Sequence, residues 1–208
     1  MRFTRFGITL EKLQHEHLER VRHWRNSDLV LPYMRYRKVI QPEDQVRWFE
    51  AMDPAKNWYF VAHLRNVPFA LFHIRDIEWT QAYGESGGFV GEPGFLGRPE
   101  AARATLAVMD FAFFLLQLRS LQAHYNPRLP GIARFNEQLG YQIVGQEADG
   151  FWSASVTSER YLKCASVFRQ AALSLHGPSA ILGDADSSLS DRVEKLRQLC
   201  LPEFQVKE

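Results

Sequence analysis

The spacing of apolar positions divides the chain into short strands and amphipathic helices. Phe3 to Leu10 reads as a first strand, and His15 to Asn26 as a helix in which Leu18, Val21 and Trp24 recur at near-helical spacing. Trp24 falls on that apolar face and is expected in the core. Ser27 to Gln41 is polar and basic, contains Pro32, and reads as a loop. Pro42 can open a second helix to Met52, with Glu43 and Asp44 in the first turn, where acidic groups suit the positive end of the helix dipole. Trp58 to Leu64 and Val67 to Ile77, joined by Arg65-Asn66, read as an antiparallel hairpin. Tyr83 to Gly91 is a strand with glycine at 84, 87, 88 and 91, which predicts a bulge or a close backbone approach. The clearest helix runs from Arg98 to Leu118, with Ala101, Thr105, Val108, Met109, Ala112, Phe113 and Leu116 in one stripe. Leu121 to Tyr125 is a short strand, and Ile132 to Leu139 a helix stopped by Gly140. Tyr141 to Gln146 and Trp152 to Leu162 pair as a closing hairpin.

This order predicts an α/β (α+β) fold, with helices against a mixed sheet. The domain is expected over residues 1–163. Residues 164–208 form a C-terminal extension of different composition, with a helix near Phe168 to Leu175, a linker from His176 to Ser190, and a short helix from Asp191 to Cys200. That last helix could cover the core, pair with a second subunit in a homodimer, or be mobile.

Composition narrows the classes. A chain of 208 residues, 46% hydrophobic and 13% aromatic, can fill one core. Lys+Arg of 25 against Asp+Glu of 24 leaves a net charge of +1, so nothing demands nucleic acid or an anionic membrane as partner. Cys164 and Cys200 lack metal-ligand spacing and read as thiols of a reducing cytoplasm rather than a disulfide. The start of the chain lacks the apolar stretch of a signal peptide. The apolar run Val108 to Leu118 falls short of the roughly 18 residues a membrane span needs. The expected location is the cytoplasm. No metal is expected: His15 and His17 point apart, and His63 and His73 face a sheet surface.

The segment from Gly91 to Tyr141 carries the chemistry. The loop Gly91-Glu92-Pro93-Gly94-Phe95-Leu96-Gly97 leads into the long helix. Unpaired amides at a helix start attract a pyrophosphate, and glycines let it come close. Alone, such a loop is more often an ordinary strand-to-helix turn. The run Gly97-Arg98-Pro99-Glu100-Ala101 through Asp110-Phe111-Ala112-Phe113 resembles the acetyl-CoA loop and helix of the GNAT superfamily of N-acetyltransferases. Ile132-Ala133-Arg134-Phe135-Asn136-Glu137-Gln138-Leu139-Gly140-Tyr141 resembles that family's Ser-Ile-Arg-Leu-Tyr-Glu-Lys-Leu-Gly-Phe element, in the right order and separation.

The resemblance covers roughly residues 5–163. It implies a mostly antiparallel sheet and acetyl-CoA as acyl donor. The thioester and pantetheine would lie on a bulged strand near Gly88, Phe89 and Val90. The pyrophosphate would lie on the turn formed by Gly91, Gly94, Leu96, Gly97, Arg98, Pro99, Glu100 and Ala101, with Asn126 and Arg134 completing the cofactor set. Catalytic candidates are Glu85 and Ser86, at a position often acidic in the family, with Asn136 and Tyr141. Glu85 is the leading base candidate; the alternative is an exposed strand-end carboxylate.

The chain departs from the family pattern. Pro99 removes an amide donor, and Leu96 stands where a basic or amide residue is common, so phosphate binding should lean on Arg98 and Arg103. Asn136 replaces the tyrosine that protonates the thiolate, and an amide cannot donate a proton at neutral pH. Leu129 aligns with the family's asparagine, while Asn126 is nearby.

Val21-Arg22-His23-Trp24-Arg25-Asn26-Ser27-Asp28, Tyr33-Met34 and the stretch Ile40 to Phe49 look like the bacterial amino-sugar acetyltransferases of pseudaminic acid synthesis. The ribosomal-protein N-terminal acetyltransferases share part of this pattern. The acceptor implied is the amine of an amino sugar, nucleotide-linked. Arg25 and Asn26 would line its pocket, and the run Arg35-Tyr36-Arg37 with Tyr33 would grip a diphosphate and stack on a base or sugar. The same run is also readable as a solvated loop. A protein N-terminal or small-amine acetyltransferase, or a non-catalytic acyl-CoA-binding domain, are the alternatives.

Overall fold

The computed structural model describes residues 1–183. Among these described residues, nine strands form one sheet in the order β7-β8-β6-β5-β4-β3-β2-β1-β9. They are β1 (Arg2–Arg5), β2 (Ile8–Lys12), β3 (Trp58–Leu64), β4 (Val67–Glu78), β5 (Tyr83–Val90), β6 (Ser120–Tyr125), β7 (Gln142–Gln146), β8 (Trp152–Thr157) and β9 (Ala180–Gly183). The helices are α1 (Leu18–Asn26), α2 (Pro42–Glu50), α3 (Pro99–Asp110), α4 (Pro130–Gln138), α5 (Ser158–Cys164) and α6 (Ser166–His176). Every pairing is antiparallel except that of β5 with β6. The fold is the mixed sheet flanked by helices that the element order implies, mostly antiparallel as the resemblance implies.

Each face of the sheet has its own cluster. α1 and α2 cover one face, where Leu18, Val21 and Trp24 pack with Tyr59, Val61 and Leu71. On the other, Ala104, Ala107 and Val108 of α3 and Phe111 just after it pack with Phe60, Ile74, Leu121 and Tyr161. Alternation along β5 and β6 therefore sorts their side chains. Phe89 joins the α1–α2 side, whereas Val90, Leu121, Ala123 and Tyr125 join the α3 side.

Several elements differ from the expectation for physical reasons. The first strand is a hairpin, because Phe6 (φ 53°) and Gly7 (φ 71°) reverse the chain between β1 and β2. The long helix is α-helical only to Asp110 and ends in a π-helical turn over Phe111–Leu115, where the Leu116 N–H donates to the Phe111 carbonyl at 3.0 Å. The last hairpin strand stops at Thr157, whose hydroxyl accepts the Arg160 N–H and caps α5. The bulge lies in β4, where Asp76 (φ 51°) breaks register between Arg75 and Glu78; β5 stays in register with β4 from Glu85 to Val90. The β5 glycines serve close approach: a Cβ on Gly87 would lie 2.7 Å from the His73 ring, and one on Gly88 2.5 Å from Phe72.

Part of the segment expected as linker after His176 is strand β9, paired with β1. The helix expected over Asp191 to Cys200 lies outside the described residues. A buried ionic knot ties α6 to the rest. Asp110 accepts from Arg5 Nε (3.1 Å), Arg169 Nε (3.2 Å) and the Tyr161 hydroxyl (2.8 Å), while Arg5 Nη1 donates to the Pro178 carbonyl (2.9 Å). Among the described residues no helix is long and apolar enough to cross a membrane.

Removing one member of a buried ion pair leaves its partners uncompensated and costs about 3–5 kcal/mol. Asp110→Ala is therefore expected to lower unfolding stability by about that amount in a urea titration, with a parallel fall in melting temperature.

Candidate active site

β5 and β6 pair over only three positions: Tyr83 with Ser120, Gly84 with Leu121 and Glu85 with Gln122. Beyond them β5 stays with β4 to Val90, and β6 stays with β8 to Tyr125. The two strands thus diverge, and one edge of Ser86 to Val90 is left without a strand partner. Backbone groups on such an edge need partners from elsewhere, and an extended amide-bearing ligand can supply them.

At the far end of β5 the chain turns toward α3 and is held firmly. The Gly91 and Glu92 amides donate to the Phe69 carbonyl at 2.8 and 3.1 Å, and Phe95 stacks on Phe69 with ring centroids 4.6 Å apart. Trp24 Nε1 donates to Glu92 Oε1 at 2.9 Å. Gly91 belongs to this anchor rather than to a phosphate cradle, because a Cβ there would sit 2.2 Å from the Trp24 ring. Gly94 and Gly97 differ: nothing lies within 4 Å of a Cβ on either, and Gly97 takes φ 68°. No side chain caps α3, and among the described residues the Gly97 and Glu100 amides have no hydrogen-bond partner. The turn is open, and with the Leu96, Arg98 and Ala101 amides bonded to the Pro93, Phe95 and Arg98 carbonyls, the Gly97 and Glu100 amides are the donors it leaves to suit a diphosphate.

Around the turn, Leu96, Gly97, Arg98 and Pro99 are exposed, with Ala101 half-buried. Arg98 is at the N-cap, exposed, and is a cation available to phosphate. Arg103 is not: it donates to the Phe6 carbonyl at 2.9 Å, contacts His176 at 2.6 Å and pairs with Glu100 at 3.4 Å. Arg134 is exposed on α4. Asn126 is buried at the end of β6, and its Oδ1 accepts the Arg128 N–H at 3.0 Å.

The catalytic candidates fall on both faces of the apex. On the α3 face, Ser86 Oγ and the Tyr141 hydroxyl are 2.5 Å apart, and Ser86 Oγ also reaches the Gln122 carbonyl at 3.2 Å. Burial pushes the Tyr141 phenol well above its ordinary value, against the pull of the Ser86 hydrogen bond. It is thus a protonated hydroxyl at the apex. Asn136 is half-buried on α4, and its carbonyl takes the Tyr141 N–H at 2.9 Å.

Glu85 lies on the α1–α2 face, where Arg75 Nη2 donates to Oε1 at 2.6 Å. Burial alone would raise its pKa. His73, 3.9 Å away, and the Arg75 guanidinium together outweigh burial and hold the carboxyl at about 2. A carboxylate this weakly basic is a poor acceptor for an ammonium proton, which counts against Glu85 as base.

The acceptor-side candidates also divide. Asn26 is committed to the loop: its Nδ2 donates to the Ile40 carbonyl and its Oδ1 accepts the Ile40 N–H, both at 2.9 Å. Arg35 crosses to the β7–β8 turn, pairing with Glu147 at 2.5 Å and Asp149 at 3.1 Å and lying 4.7 Å over the Phe151 ring. Arg37 Nε donates to the Met34 carbonyl at 3.0 Å, and Tyr33 and Tyr36 are exposed. Arg25 makes one long contact, Nη2 to the Tyr36 carbonyl at 3.4 Å; its Nη1 is buried without a partner. Sequence reasoning missed Arg75, His124 and Glu147, which converge on this face. The available signal was alternation, which puts His124 opposite Leu121, Ala123 and Tyr125 in its strand.

A parallel strand pair that parts after three positions, beside an uncapped helix preceded by open glycines, offers a strand edge and free amides that suit an extended donor bearing a diphosphate. The sequence matches the family described as Acetyltransferase (GNAT) domain over residues 8–142, and the chain belongs to that family. It is an acyltransferase that uses acetyl-CoA.

Solved structures agree in fold. Spermidine N-acetyltransferase from Vibrio cholerae in complex with CoA and spermine superposes with a TM-score of 0.66 at 15% identity, covering 76% of this chain and 99% of that one. The dodecameric form of that protein gives 0.64 at 15% identity, over 76% and 98%. A domain from Methanocaldococcus jannaschii gives 0.64 at 15%, over 72% and 97%. No curated protein matches the chain in sequence.

The Glu85 carboxyl, at about 2 in the folded chain against an ordinary 4.5, contributes stability that is complete above the ordinary value and lost as pH falls through the folded one. Melting temperatures of wild type and Glu85→Gln are expected to converge as pH falls from 4.5 to about 2.

Proposed function

We propose that this chain transfers acetyl to the amine of an anionic small molecule, an amino sugar linked to a nucleotide. The observation that carries the reading is Arg25 Nη1, buried without a hydrogen-bond partner beneath a loop that also bears Arg35, Arg37 and Lys38. A buried guanidinium nitrogen left unpaired is costly, and a phosphate oxygen satisfies it. Glu85, the acidic group at the apex, is paired with Arg75 and so is not an open carboxylate for a polycation.

The donor's diphosphate would rest on the Gly97 and Glu100 amides and Arg98, and its pantetheine along Ser86 to Val90. Bound there, acetyl-CoA supplies an activated thioester at the apex. The Ser86–Tyr141 hydroxyl pair serves the sulfur side. Tyr141, kept protonated by burial, stands where Asn136 cannot act as an acid. Phe135, half-buried, and Tyr141 hold this end of α4 against the core.

Glu147 and Asp149 favour a second reading, in which the acceptor is a polyamine or other small cationic amine, as the name of the Vibrio neighbour describes for that protein. CoA release measured with a nucleotide-linked amino sugar, the free amino sugar, spermidine and an N-terminal peptide separates the readings. The nucleotide-linked acceptor is expected to exceed the free sugar by about tenfold or more in kcat/KM, as one charge-assisted hydrogen bond allows. Arg25→Gln should remove most of that advantage through KM. Turnover of spermidine or peptide alone would overturn the amino-sugar reading. Separately, Tyr141→Phe keeps the packing but is expected to lower kcat about 10²-fold or more with acetyl-CoA binding unchanged in calorimetry.

A further inference from the structure

His124 faces the acceptor side of the apex, two residues beyond the last parallel pair, Glu85 with Gln122. It stands on the strand wall opposite Ser86 to Val90. Its Nδ1 is in direct contact with Glu147 Oε1 and lies 3.3 Å from Ser153 Oγ, while Ser153 Oγ donates to the same Glu147 oxygen at 2.6 Å. Arg35 holds the other Glu147 oxygen at 2.5 Å. His124 Nε2 points to Glu85 Oε2 at 3.8 Å, too far for a hydrogen bond, and its side chain is 20% exposed.

These contacts decide the tautomer. An ionised carboxylate only accepts, and Glu147 is kept ionised by the Ser153 hydrogen bond and the Arg35 charge, which hold its pKa down. When the ring carries one hydrogen, Nδ1 therefore holds it, and the Nε2 lone pair lies on the side toward Glu85. Glu85, tied to Arg75, is too weak a base to compete for the proton.

We propose that His124 is the catalytic base that deprotonates the acceptor ammonium, with Glu147 as its positioning residue. This rests on the reading of the chain as an amine acetyltransferase. The ammonium gives one proton to His124 Nε2. The freed nitrogen lone pair bonds to the thioester carbonyl carbon, the C–S bond breaks, and the electron pair leaves on sulfur. The surplus proton on the new amide nitrogen passes to that sulfur through the apex hydroxyls, and His124 returns its proton to solvent. The charged or titratable groups around His124 are Glu85 from β5 with Arg75 behind it on β4, Glu147 after β7, and Arg35 acting through Glu147; Ser153 from β8 is the neutral neighbour.

The test combines pH–rate profiles with long-range ¹⁵N–¹H spectra of histidine-labelled protein, His124 being assigned by its loss in His124→Gln. His124→Gln is expected to lower kcat about 10²–10⁴-fold and abolish the acid limb of the profile, with acetyl-CoA-induced thermal stabilisation retained. The wild-type spectrum should show His124 with its hydrogen on Nδ1, and Glu147→Ala should move it to Nε2. A His124→Gln enzyme with near-wild-type kcat and an intact acid limb overturns the base assignment alone, as does an Nε2–H tautomer in the wild type. A wild-type protein that binds acetyl-CoA but acetylates no amine overturns the transferase reading, and the role of His124 with it.

Discussion

Everything at the site follows from how briefly β5 and β6 stay together. Three parallel pairs are enough to join the two halves of the sheet and too few to close it. Each strand keeps its antiparallel partner on the outer side, so parting costs no pairing there. What remains is an edge of backbone groups facing a cleft, in the middle of a sheet whose faces are both covered by helices. Such groups are stable only with water or a ligand as partner. The apex gathers the chemistry: Ser86 and Tyr141 toward α3, Glu85, Arg75 and His124 toward α1 and α2.

The rest of the architecture holds that opening in place. The Phe69–Phe95 stack and the Trp24–Glu92 hydrogen bond fix the turn that follows β5, so the free amides before α3 cannot drift. The Asp110 knot anchors the far end of α3 to β1, α5 and α6. Arg35 bridges the loop after α1 to the β7–β8 turn. Rigid parts thus surround a gap, as a preorganised site requires.

Much of this was legible in the sequence. The apolar stripe of α3, the alternation of β3 and β4, and the resemblance carried by Gly97 to Phe113 and Ile132 to Tyr141 gave the fold and the donor. Four things were not legible. The Phe6-Gly7 reversal lacks the asparagine or aspartate that usually marks such a turn. Arg103 looked free for phosphate because nothing local shows that Phe6 and His176 fold back onto it. Glu85 looked like a base because its neutraliser, Arg75, sits on the neighbouring strand, and only register brings the two together. The His124–Glu147 contact is of the same kind: it joins strands across the sheet, and no single strand carries the signal.

Hydrogen–deuterium exchange with and without CoA tests the opening most directly. Protection is expected to rise together in the segments spanning Ser86 to Val90 and Leu96 to Ala101, with β3 unchanged. Protection confined to other segments, or none at saturating CoA, would contradict a donor site built on the parting of β5 from β6.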